Sequence, residues 1–126
     1  MTDQQPGSIQ PEKDYRQFLD EGRFMILKSR ESGRHFFPPR VAEPVSGSTD
    51  LEWVPALGTG IVYSTSVMRE RPPLQSYNVA LIDLEEGPRM MSRVEGVPPE
   101  QVRIGMRVRA KIVKDDTQSL LVFVPA

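Results

Sequence analysis

Cysteine is absent from this chain of 126 residues, which excludes disulfide scaffolds, thiolate nucleophiles and cysteine-held metals together. A single histidine, His35, leaves no second imidazole for a metal pair or a proton relay. No run comes near the roughly 18 apolar residues that a membrane-spanning helix needs. The first residues, MTDQQPGSIQPEKD, are polar and acidic and contain no apolar core of the kind found in a signal peptide. The expectation is a cytoplasmic protein with no membrane contact. Charge of one sign is lacking too: 16 basic residues face 17 acidic ones, whereas a free-standing nucleic-acid binder usually carries a basic surplus. Aromatics make up only 7%, so few rings are left for stacking bases.

Proline is plentiful, with 12 residues beside 9 glycines. That argues against long helices and for short strands joined by turns. The length is that of one small domain, and a 38% apolar share fills one core but not a two-domain enzyme with an internal cleft. Residues 1–11 read as a disordered tail. Residues 12–22 read as a helix. Pro11 suits its first position, Tyr15, Phe18 and Leu19 fall at i, i+3 and i+4, and Gly22 supplies the left-handed stop. Residues 23–56 alternate extended pieces with two polar knuckles, at 29–33 and 43–48.

From residue 57 to the end the pattern is strongly β. Strands are expected at 60–68, 77–84, 89–94, 107–113 and 119–124, with a single helical turn at 98–102 between the third and fourth. Five strands with a helical turn in that place are the signature of the OB-fold, a small Greek-key barrel. Closing the sheet also removes the exposed edges of an open one. The fold class is therefore mainly β: an OB barrel at 57–126, preceded by a short helix and a metal-free ribbon-like segment at 23–56.

The two knuckles carry the most specific motif. Ser29-x-x-Ser32-Gly33 and Glu43-Pro44-x-Ser46-Gly47-Ser48 have the spacing of a zinc ribbon written C-x-x-C-G and C-P-x-C-G-S, with Phe37-Pro38-Pro39-Arg40 between them. Further stretches in order are Leu51-Glu52-Trp53, Gly58-Thr59-Gly60-Ile61-Val62-Tyr63-Ser64, Val79-Ala80-Leu81-Ile82-Asp83-Leu84, Ile104-Gly105-Met106-Arg107-Val108 and the terminal Val122-Phe123-Val124-Pro125-Ala126. Together they resemble the bacterial and archaeal acyl-CoA-associated OB-fold proteins that carry a rubredoxin-like zinc ribbon. The chain departs from that pattern at all four ligand positions, Ser29, Ser32, Glu43 and Ser46. Serine hydroxyls stay protonated near neutral pH and bind zinc poorly, so no metal is expected and the ribbon must hold by packing.

The resemblance implies an accessory subunit that pairs with a thiolase-superfamily or related acyl-CoA enzyme, with coenzyme A or acyl-CoA as a shared ligand. The residues add that no convincing acid–base or nucleophile set is present, so the expectation is that the chain is not itself an enzyme. His35 beside two phenylalanines reads as structural. Ser64, Thr65 and Ser66 read as a strand hydroxyl ladder, and Gly58-x-Gly60 as a barrel kink. Arg40, Tyr63, Arg69 and Arg71 are the candidate contacts for coenzyme A, whose phosphates suit arginine donors. Tyr15, Phe18, Phe36 and Phe37 are the candidate partner contacts. Arg107, Arg109 and Lys111, on one strand face, fit a phosphate surface or a solvated face equally well. Two rivals stand beside this reading: an OB module for single-stranded nucleic acid, which the charge balance opposes, and a small homo-oligomeric structural protein.

Overall fold

A computed structural model describes residues 10–72, 74–115 and 117–126. Most of the expected tail (residues 1–9), Pro73 in the proline loop and Asp116 in the last turn lie outside the described residues. The helix α1, Pro11–Asp20, opens with its proline as expected. It ends in a left-handed Gly22 (φ +79). The Gly22 N–H returns to the Leu19 carbonyl and the Arg23 N–H to that of Phe18, the paired bonds of a Schellman stop. The Arg23 guanidinium lies 5.1 Å from the Phe18 ring, covering the same turn.

Three short strands follow: β1 Met25–Ser29, β2 His35–Phe36 and β3 Leu51–Pro55. They form an antiparallel sheet in the order β2-β1-β3. The larger sheet contains β4 Thr59–Met68, β5 Tyr77–Leu84, β6 Arg89–Ser92, β7 Arg107–Asp115 and β8 Gln118–Pro125, in the order β6-β5-β4-β7-β8. A 3-10 turn, Pro99–Gln101, falls between its third and fourth strands. This is the mainly β OB architecture that the spacing predicts. The sheet curls until its outer edges meet past β6, where Val94 pairs with Phe123 in parallel. The Phe123 N–H donates to the Arg93 carbonyl and the Glu95 N–H to that of Phe123.

Inside the curl sit Val62, Ala80, Ile82, Leu84, Met90, Val94, Val102, Val108 and Phe123, all buried. The alternation of β5 puts Asn78, Ala80, Ile82 and Leu84 inward, so Tyr77, Val79 and Leu81 form the outward face. Buried Asn78 spans the closure: its Nδ2 donates to the Val94 carbonyl (2.6 Å) and its Oδ1 accepts from the Val94 N–H (2.9 Å). Gly60 is required where β4 crosses β5, because a Cβ there would lie 2.7 Å from the Asp83 carbonyl oxygen and 2.8 Å from Ile82. Among the described residues no helix is long and apolar enough to cross a membrane.

Candidate functional site

The two knuckles are built alike. The Gly33 N–H returns to the Ser29 carbonyl and the Gly47 N–H to the Glu43 carbonyl, each at 2.8 Å, and both glycines sit at φ +75. L-residues rarely adopt that conformation, so the glycine after each pair of polar side chains is a backbone requirement. The turns bring the four ribbon positions together. The Ser46 Oγ donates to Glu43 Oε1 at 2.5 Å, and the Ser32 Oγ lies 3.0 Å from both carboxylate oxygens. Arg34 Nε donates to Oε2 at 2.9 Å, while the Ser32 N–H donates to Ser29 Oγ at 3.2 Å. Glu43 is only 3% exposed. The Ser46 hydroxyl, with Arg34, Ser32 and Ser29 also bonding, holds its carboxyl down to about 2 against the opposing effect of burial.

Three hydroxyls and a carboxylate already engaged by its neighbours do not fit a structural zinc, which takes thiolate or imidazole donors. The chemistry on offer is a hydrogen-bonded anion that clasps two turns. The sequence pattern located the four positions; it missed Arg34, which lies one residue beyond the motif.

The candidate partner aromatics make contacts within the molecule. Tyr15 meets Phe24 and Phe37 edge-on, at 6.5 and 5.4 Å, and Phe18 meets Trp53 at 5.2 Å. Phe36 is buried in β2 and Phe37 leans on the barrel core. Tyr15, Phe18, Phe36 and Phe37 thus join helix, small sheet and barrel, with Phe36 buried and the other three half-buried. Burial pushes the Tyr15 hydroxyl above its ordinary range.

The candidate coenzyme A contacts come from separate segments. Arg40 is exposed between β2 and β3, and Tyr63 is mid-β4. Arg69 and Arg71 follow the end of β4, about 20–25 Å further along an extended chain. Arg69 pairs instead with Glu100 at 3.5 Å. A groove of about 700 Å³ lies between the end of α1, the small sheet and the β7–β8 hairpin. Its walls include Phe24, Met25, Pro55, Ala110 and Ile112, with Arg23 and Lys114 among its exposed lining. Nothing in the local pattern marks this groove, because its walls come from four separate segments.

A knuckled three-stranded sheet ahead of a curled five-stranded one defines an OB-fold protein with a small N-terminal sheet. Residues 53–113 match the family described as ChsH2, C-terminal OB-fold domain. The chain is 30% identical over 122 residues to a DUF35 domain-containing scaffold protein of Pyrococcus furiosus, covering 91% of this chain and 89% of that protein. It belongs to the DUF35 family. It is also 38% identical over 94 residues to an enoyl-CoA hydratase alpha subunit of Thermomonospora curvata, covering 71% of this chain and 29% of that protein. Among solved structures it is similar to a chain of the Ltp2-ChsH2(DUF35) aldolase, with a TM-score of 0.81, 30% identity, and coverage of 96% of this chain and 98% of that one.

These relatives correct one expectation. Sequence reasoning placed the chain outside enzymes for want of a nucleophile or acid–base set, yet its likenesses are a hydratase alpha subunit and an aldolase. The lack of a full catalytic set in one chain does not place that chain outside an enzyme made of several subunits.

Proposed function

We propose that this chain is a cytoplasmic subunit of an acyl-CoA-processing enzyme complex, docking on its partner and shaping the thioester site where the two meet. The observation that carries this reading is the end-to-end likeness to a chain of the Ltp2-ChsH2(DUF35) aldolase, which spans 96% of this chain. A thiolase-superfamily partner is the narrower form of the proposal. Direct contact with acyl-CoA belongs to it as well: the groove offers apolar walls for an acyl chain and two cations, Arg23 and Lys114, for phosphates. The test is affinity purification of the tagged chain from its native cells, followed by size exclusion with light scattering. An acyl-CoA enzyme co-eluting in a defined ratio is expected. Elution only as the 14.2 kDa chain, or only as multiples of itself, contradicts the proposal.

The small sheet enters the same reading as a metal-free ribbon, with the Glu43 carboxylate joining the knuckles that a metal would otherwise join. Elemental analysis is expected to find well under one zinc per chain, and a chelator to leave the melting temperature unchanged. One zinc per chain would overturn it.

The nucleic-acid reading is disfavoured by a specific contact. The Arg89 guanidinium sits 3.3 Å from the centre of the Tyr63 ring and is anchored by two bonds to Asp83, at 2.6 and 3.2 Å. That face of the ring is closed to a base.

A further inference from the structure

The outer face of the large sheet carries an unpartnered apolar strip beside unpaired cations. Ladder pairing puts Met91, Leu81 and Ser64 in one row across β6, β5 and β4, and Arg89, Asp83, Ile61 and Arg107 in the next row, which reaches β7. Tyr63, two residues after exposed Ile61, points outward with its ring under Arg89, and the bulge between Val62 and Ser64 brings Ser64 into the outward row beside it. The segment before β7 runs alongside β4, since the Gly105 N–H donates to the Val62 carbonyl at 2.8 Å, and Ile104 is exposed in the turn there. Met91 is 68% exposed, Ile104 72%, Tyr63 49% and Ile61 42%. Exposed apolar side chains adjoining in one patch mark an interaction surface more strongly than the same residues scattered. Tyrosine and arginine at its centre are the residue types that dominate binding energy.

The charges next to the strip select the occupant. Arg107 and Arg109, paired in register with Ile61 and Thr59, are exposed and form no ion pair among the described residues. Arg103 is exposed beside Ile104 in the same way. Asp83, by contrast, is already bonded to Arg89, and Glu85 accepts the Thr59 hydroxyl. A second copy of the same face would set these unmatched cations against one another unless acids elsewhere relieved them.

We propose that this face, centred on Met91, Tyr63 and Ile61, adjoined by the exposed turn at Ile104 and edged by Arg107 and Arg109, docks an apolar protein surface rimmed by aspartate and glutamate. Resting on the reading above, that surface belongs to the catalytic partner of the complex. The strip supplies desolvated contact, and the arginines set orientation and speed of encounter.

The test is site-specific photocross-linking in native cells. A benzophenone amino acid replaces Met91 in one full-length variant and Val45, which is 85% exposed on the far knuckle, in another. An acyl-CoA enzyme cross-linked from position 91 and not from 45, at a segment flanked by acidic residues, is the expected result. Reversing the edge with R107E/R109E should lower that yield about fivefold or more, and R103E should do so less. Circular dichroism on each variant checks that it is folded. Cross-linking to such an enzyme from position 45 alone would overturn this surface and leave the complex standing. Cross-linking from position 91 to a second copy or to nucleic acid would overturn the occupant. No product from either position would overturn both.

Discussion

The two sheets of this protein solve the same problem by different chemistry. The large sheet is held by burial. Phe123, Ile82, Val62 and Val108 are essentially removed from solvent, and the closure at Val94 is fixed by a buried amide, Asn78. The small sheet has its own buried side chains, Met25, Ile26 and Leu27, but its two knuckles lie beyond their reach. Their ends are joined by a single carboxylate, Glu43, and the donors around it. Burial is indifferent to pH and acts over the whole element, whereas the clasp is local and titrates. The comparison teaches where the molecule is robust and where one proton reaches its architecture.

The sharpest way to break the barrel side is Phe123→Ala. A fully buried phenylalanine at the closure should cost about 3–5 kcal/mol, read by chemical denaturation. Asn78→Ala is expected to cost a comparable amount, about 1–3 kcal/mol for each of the two Val94 backbone groups left buried without a partner, with faster amide exchange at Val94. Gly60→Ala should cost about 1–3 kcal/mol, because the new methyl would press on the Asp83 carbonyl and Ile82.

The clasp is tested at lower amplitude and by pH. Its carboxyl is held at about 2, against an ordinary value of 4.5. A lowered native value means that its contribution is complete above 4.5 and is lost as pH falls through 2. Trp53, the one tryptophan, lies in β3 of the small sheet, so its fluorescence reports that region. Glu43→Gln should lower the midpoint of the tryptophan transition at neutral pH and flatten its dependence between pH 4.5 and 2. Exchange at the buried amides of β5 should be unaffected by the same substitution. An equal loss in both sheets would remove the distinction drawn here.

What the sequence disclosed follows from period and punctuation. The five strands of the barrel, its 3-10 turn and α1 could be read because proline, glycine and two-residue alternation mark them out locally. The inward face of β5 could not, since Tyr77, Val79 and Leu81 are as apolar as the set that is buried. The role of Asn78 is not legible locally either, because its partner, Val94, is sixteen residues on. The bulge after Val62 depends on pairing with β5, and the Arg89–Asp83 pair that covers the Tyr63 ring depends on the register of β6. The knuckle motif showed which four positions converge but not which donor completes them, as Arg34 arrives from outside the motif. Tyr15, Phe18, Phe36 and Phe37 were legible as a sticky set, yet only the placement of the helix decides that they stick to one another and to the chain's own core.

The proposed role is tested most directly by thioester turnover in the acyl-CoA enzyme that co-purifies with this chain, measured with the chain present, removed and restored. Activity that falls on removal and returns on adding back the wild-type protein is the predicted result. Identical turnover in all three states would contradict the account.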